Sequence, residues 1–206
     1  MEDLPPIDAV LISHNHYDHL DLPTMRQLAA RGSGTVVVAA GGARLLRAEK
    51  IEPVHELDWG GALTISGFSI HCVPALHFSA RGICDRNKIL WCGYVIEYPE
   101  GLVYFAGDTG FGNHFVQIRD KFGVPNPALL PIGAYEPRWF MSPVHMSPEE
   151  AVKAHDSLGA KISIAIHHGT FQLADDGVDT PKKRLLACRR NGSFLILNNG
   201  QFAAIP

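Results

Sequence analysis

The segment His14-Asn15-His16-Tyr17-Asp18-His19 places three imidazoles and a carboxylate within six residues, directly after the apolar run Ala9-Val10-Leu11-Ile12. Pressed together without a shared cation, such groups repel one another and lack hydrogen-bond partners. A bound metal removes the conflict. Alternation in an extended chain puts His14 and His16 on one side, and a tight turn after Tyr17 aims Asp18 and His19 at a second point nearby. The spacing therefore predicts two metals.

Three further donors each follow a stretch that reads as a strand, the place where layered α/β folds gather functional groups. His77 comes after 69–73 through Pro74-Ala75-Leu76, Asp108 lies in the turn Gly107-Asp108-Thr109-Gly110, and His167 closes 162–166. A carboxylate has two oxygens and can bridge two cations, while histidines on each side leave a coordination position open for water. Open positions point to catalysis. The all-nitrogen and oxygen donor set favours zinc, with manganese or iron as alternatives. Water between two dications ionises near neutral pH, so the chemistry expected is hydrolysis by a hydroxide already placed for attack.

Short aliphatic runs at Ala9–Ile12, 35–40, 69–73, 90–97, 102–106, 128–132, 162–166 and 194–197 read as strands. Between them at least four helices are expected. Leu22–Ala30 opens beside Pro23 and stops before Gly32, and Ala43–Ala48 is shorter. Ser147-Pro148-Glu149-Glu150 is a capping box for a helix ending before Gly159, and Thr180-Pro181 opens another that should end at Gly192. Paired strands near the middle, with helices before and after, predict a layered α/β sandwich.

At 206 residues and 46% hydrophobic content the chain suits one domain spanning 1–206. Net charge is −3 with no block of like charge, so no nucleic-acid track is expected. Cys72, Cys84, Cys92 and Cys188 form no CxxC pair; they read as free, mostly buried thiols of a reducing compartment and as poor ligands. No apolar stretch is long enough to span a bilayer, and Met1-Glu2-Asp3-Leu4-Pro5-Pro6 lacks a leader's basic start. The expectation is a cytoplasmic protein, with peripheral membrane contact if the substrate is a lipid. No basic amphipathic helix supports that contact.

The series His14, His16, Asp18, His19, His77, Asp108 and His167 resembles, in residue type and order, the ligand series of the metallo-β-lactamase superfamily, an αββα sandwich carrying one or two metals. Within it the chain is similar to the N-acylphosphatidylethanolamine-hydrolysing phospholipase D family and its bacterial relatives. The motifs that carry this are 13–21, Phe105-Ala106-Gly107-Asp108-Thr109-Gly110, the long 130–141 stretch around Gly133-Ala134-Tyr135-Glu136-Pro137-Arg138, and Ile166-His167-His168-Gly169-Thr170-Phe171. The resemblance implies that His14, His16 and His77 hold one zinc, that Asp18, His19 and His167 hold the other, and that Asp108 is shared. It implies a zinc phosphodiesterase acting on a phospholipid such as an N-acylphosphatidylethanolamine, with Asp18 and Asp108 orienting the hydroxide.

Two departures stand out. Family members carry a further N-terminal portion, and its loss would expose apolar sheet faces that a second copy, a swapped element or a modified packing must cover. His168 and Phe78 stand where the family usually has tryptophan, which touches pocket shape and leaves the substrate open. Two other readings stay beside the phosphodiesterase: a lactone or acyl-amide metallohydrolase, because the same hydroxide attacks carbonyl carbon, and a metal-binding fragment or interaction module without turnover.

Near the capped helix, the family pattern makes His145 a candidate donor to a phosphoryl oxygen or leaving group, against a plain loop histidine. Arg138 could grip a phosphate bidentately, but an ion pair with Glu136 is the preferred reading. Tyr135 and Phe140-Met141 are read as core in preference to an acyl groove. His55, His71, His114 and His155 are read as structural, with His155 exposed on its helix. Gly110, Gly112 and Gly133 are read as turn residues whose side chains would crowd the site.

Overall fold

The computed structural model describes residues 4–189 and 192–205. The chain divides into two compact units, Met1–Pro74 with Phe78–Tyr94, and Ala75–His77 with Val95–Pro206.

The first unit opens with two β-α-β crossovers: β1 (Ala9–Ile12), α1 (Leu22–Ala30), β2 (Thr35–Ala39), α2 (Ala43–Ala48) and β3 (Val54–Leu57). The three strands form a parallel sheet in the order β1-β2-β3, with Ile12 opposite Val38 and Val38 opposite Glu56. Parallel strands require such crossovers, and here the helices cover the sheet through one apolar cluster. Ile12, Leu20, Met25, Leu28, Val36, Val38, Leu46 and Val54 are buried together. Asp21 caps α1 by accepting from the Thr24 amide at 2.9 Å, and Pro23 sits in its first turn. An antiparallel hairpin of β4 (Ala62–Ile65) and β5 (Phe68–Val73) follows.

β6 (Gly93–Tyr98) begins in the first unit and runs on into the second. The second unit continues with β7 (Gly101–Phe105), α3 (His114–Phe122), β8 (Ala128–Pro131), α4 (Arg138–Met141), α5 (Pro148–Leu158), β9 (Ser163–Ile166), α6 (Thr180–Cys188) and β10 (Phe194–Leu195). Its strands lie in the order β10-β9-β8-β7-β6, and the pairs from β7 to β10 are parallel. The carboxyl ends of β7, β8 and β9 therefore point the same way, which is where such a sheet presents its chemistry. The expected capping box is present: Ser147 accepts from the Glu150 amide, Glu150 returns the bond at 2.9 Å, and Gly159 ends α5 in the left-handed region.

The result is a mixed α/β fold, as the strand and helix pattern predicts. β3, β4, α3 and the four-residue α4 lie outside the strands and helices that the sequence predicts. β3 has apolar residues only at its ends, Val54 and Leu57, and β4 is four residues long between turns. α3 mixes the poor helix formers Phe115, Val116, Ile118 and Phe122 with Gln117, Arg119 and Lys121, and is held by burying His114, Phe115 and Ile118 on one face. α6 stops at Cys188, short of the expected Gly192, because Arg189 turns extended and donates to the Phe194 carbonyl at 2.8 Å. Among the described residues no helix is long and apolar enough to cross a membrane.

Candidate metal centre

In the first unit, β1 ends at Ile12 and delivers its donors immediately. Ser13, His14 and Asn15 are buried. Ser13 Oγ lies 3.0 Å from His14 Nδ1 and fixes the orientation of the ring. His14 Nε2 stands 2.9 Å from His16 Nδ1. The chain then turns, with the His16 carbonyl accepting from the His19 amide at 3.1 Å and the Leu20 amide at 2.8 Å. That turn sets His19 Nε2 3.2 Å from Asp18 Oδ2 and the His19 ring centroid 4.1 Å from that of His14, the planes tilted by 39°. Phe78 packs its ring edge-on to His16 at 4.7 Å.

In the second unit, Asp108 follows β7 and is buried, with Oδ2 3.2 Å from His167 Nε2 and 3.9 Å from His77 Nε2. Thr109 arranges this. Its hydroxyl accepts from the Leu76 amide at 2.9 Å while the Gly110 amide donates to the Leu76 carbonyl at 2.8 Å, so His77 is fixed beside the Asp108 turn. His77 Nδ1 is 3.1 Å from the Val144 carbonyl, which can only accept, so Nδ1 carries the hydrogen and Nε2 keeps its lone pair. His145 is buried in the same group, its ring 5.0 Å from His77 and 5.6 Å from His167. His77, Asp108 and His145 each offer a ligand atom within 4.8 Å of the others.

Four donors around a first-row dication at about 2.0–2.1 Å stand about 3.3 Å apart. The separations of 2.9, 3.2, 3.2 and 3.9 Å bracket that value. Nitrogen and oxygen donors at this spacing fit one or more such ions in chemistry as well as size. Each unit thus gathers its own share of the candidates: His14, His16, Asp18 and His19 in one, His77, Asp108, His145 and His167 in the other.

The backbone around these donors is tightly specified. His167 is held at φ 56°, a region few non-glycine residues occupy. Gly133 opens the turn after β8, and as expected it has no room for a side chain: a Cβ there would fall 2.1 Å from the His167 carbonyl oxygen. Gly110 likewise lies flat against Pro143, where a Cβ would meet the carbonyl oxygen at 2.5 Å.

Two site-shaping residues escaped the sequence reading. Asp176 is buried and accepts from the amides of Ala134, Tyr135 and Glu136 at 3.1, 3.0 and 3.3 Å, holding the 133–136 turn after β8. Arg81 donates to backbone carbonyls on both flanks of the histidine turn. Neither sits in a periodic or motif-like stretch; only the turn composition around Asp176 and the nearness of Arg81 to His77 signalled them.

Other expectations are corrected. The Arg138 guanidinium pairs with Glu150 at 2.6 Å and with the carbonyls of Tyr135 and His145, while Glu136 accepts from the Arg138 amide and faces Arg184 at 3.4 Å. The capping box makes Glu150 the nearer fixed carboxylate, so Arg138 braces His145 from behind. Tyr135 is core, but Phe140 is exposed, as is Trp139 at 83%. His155 is half-buried, 2.8 Å from Ser163 Oγ, and burial lowers its pKa. Burial also pushes His168 down and holds His114 at about 4. All four cysteines are free thiols; Cys72 and Cys92 are buried, and Cys84 is exposed.

Residues 1–168 match the model of the beta-lactamase superfamily domain. The chain is 37% identical over 184 residues to the N-acyl-phosphatidylethanolamine-hydrolyzing phospholipase D 1 of Caenorhabditis elegans, covering 84% of this chain and 52% of that one. It is 31% identical over 198 residues to a metal-dependent hydrolase of Methanopyrus kandleri, covering 94% and 80%. Its fold matches a metallo hydrolase from Ignicoccus hospitalis with TM-score 0.68 at 23% identity, over 92% of this chain and 75% of that one. The chain spans about half the length of the first curated relatives it matches.

Proposed function

From the premise that this chain belongs to the metallo-β-lactamase superfamily, we propose that it is a zinc-dependent phosphodiester hydrolase acting on a phospholipid of the N-acylphosphatidylethanolamine kind. The observation that carries the reading is the Asp108 carboxylate, buried with His77 and His167 Nε2 atoms 3.9 and 3.2 Å away at the ends of strands. The similarity to the C. elegans phospholipase D supports the choice of substrate.

In this reading His14, His16, Asp18, His19, His77, Asp108 and His167 are the residues that would hold zinc, and the bound metal would supply acidified water and a positive field for the phosphoryl oxygens. Asp108 and Asp18 accept hydrogen bonds from the attacking water and fix its direction. His145, braced by the Arg138 contact to its carbonyl, donates to the departing oxygen. The leaving alkoxide takes that proton, so charge does not accumulate where the bond breaks.

The test is a parallel assay of the zinc-loaded protein on N-acylphosphatidylethanolamine vesicles, bis(p-nitrophenyl) phosphate and an acyl-homoserine lactone, with Asp108→Ala beside it. Phosphodiester turnover is expected, falling at least about 100-fold in Asp108→Ala together with loss of zinc, since even changes behind the ligands cost 10–100-fold. Lactone turnover alone would replace the phosphodiesterase reading, and bound zinc with no turnover on any of the three would point to a metal-binding module.

A further inference from the structure

The segment that carries Asp18 and His19 is a turn with Tyr17 two-thirds exposed at its tip. Its donors can meet a cation only if the two flanks of the turn hold a fixed separation. Arg81 spans them. One nitrogen, Nη1, donates to the Asn15 carbonyl at 2.9 Å and to the Leu20 carbonyl at 2.6 Å. The guanidinium carbon lies over the face of the Tyr17 ring, 4.0 Å from its centroid. Three contacts from one side chain thus grip the entry, tip and exit of the turn, while Asn15 and Leu20 themselves are 1% exposed.

Arg81 is itself held in place. Its amide donates to both oxygens of Asp85 at 3.1 and 3.0 Å, and the Gly82 amide adds a bond at 2.7 Å. Those amides, Gly82 foremost, outweigh burial and keep the Asp85 carboxyl below its usual range, so it stays an acceptor. Farther along, the Asn87 amide closes on the Ser79 carbonyl at 2.8 Å, and the Ser79 hydroxyl bonds the Ile89 carbonyl. The arginine is presented by a loop braced on its own account.

We propose that Arg81 is the positioning residue of the metal-binding turn, setting the geometry at which His16 on one side and Asp18 and His19 on the other take divalent cations, without itself touching an ion. This rests on the metal reading above. Planar, forked guanidinium suits the task because it can serve separate carbonyls and still stack on an aromatic ring. Its charge acts in the opposite sense: a fixed cation near a dication lowers affinity. The two effects predict opposite outcomes when the side chain is replaced by an uncharged one.

The experiment measures zinc affinity and stoichiometry of the full chain by chelator competition, and the visible spectrum of the cobalt form, in Arg81→Met, Arg81→Lys and Arg86→Met. Arg86 belongs to the same loop and stacks on Phe78 at 4.4 Å, so its replacement removes equal charge without touching the turn carbonyls. Arg81→Met is expected to weaken zinc binding about 10- to 100-fold and to alter the cobalt bands. Arg81→Lys should recover part of the affinity, and Arg86→Met should bind as tightly as the parent or more so. Unchanged or tighter binding in Arg81→Met, or an equal loss in Arg86→Met, overturns the assignment and leaves the metal centre standing. If Arg81→Met does not fold, Arg81→Lys decides alone: parental affinity with an unshifted cobalt spectrum overturns the proposal, and a loss of intermediate size with shifted bands supports it. A parent chain that binds neither zinc nor cobalt overturns both readings.

Discussion

Gly133 and His167 touch backbone to backbone: the face that glycine leaves bare receives the His167 carbonyl, and a methyl group there would sit 2.1 Å from that oxygen. A residue after β8 thereby fixes the left-handed conformation of a metal candidate after β9.

Gly133→Ala should therefore disturb the centre and the fold together. Neither neighbour is a flexible side-chain end, so the strand ends must part. A loss of about 1–3 kcal/mol is expected, read as a lower denaturant midpoint, accompanied by reduced zinc content. An unchanged midpoint with full zinc occupancy would show that the contact yields easily.

Asp176→Ala removes the acceptor for three consecutive amides. Hydrogen bonds to a charged group contribute about 1.5–3 kcal/mol, and amides left buried without a partner add to the cost. Destabilisation of about 3 kcal/mol is expected in urea unfolding with the slope unchanged. Asp176→Asn should lose less, because its carbonyl oxygen can still serve one or two of the amides.

His114 gives a pH signature. Burial holds its pKa at about 4 in the folded chain against 6.5 unfolded, so the native ring stays neutral where the unfolded one takes up a proton. Between pH 6.5 and 4 the unfolded state binds more protons, and stability falls as pH is lowered through that window. Below pH 4 both forms are charged and this loss stops growing. Its full size is about 3 kcal/mol. His114→Phe should flatten the stability profile between pH 6.5 and 4; a profile parallel to the parent's would place the acid sensitivity elsewhere.

The metal candidates were legible because their chemistry is written in residue type and short spacing. His14 to His19 is one turn, and Asp108 and His167 each follow a short apolar run, aromatic in part at 104–105, that reads as a strand. What supports them was not legible. Arg81 reaches carbonyls 66 and 61 positions away, and Asp176 reaches amides 42, 41 and 40 positions away. Such bonds are made to main-chain groups that every residue carries, so side-chain identity gives no sign of the partner. α3 was not legible for a different reason: its mixed residues give no clear local preference, and burial of Phe115 and Ile118 decides for helix. Arg138 shows the converse error, where a carboxylate two residues away in sequence attracted the reading and Glu150, brought near by α5, takes the bond.

Residues 169–173 are all exposed, and they lie between His167, fixed by Gly133, and Asp176, fixed by three amides. Both ends are anchored independently of what lies between them. A change of length at 172–173, beyond the Gly169-Thr170-Phe171 motif, therefore meets solvent on every side and leaves both anchors in place.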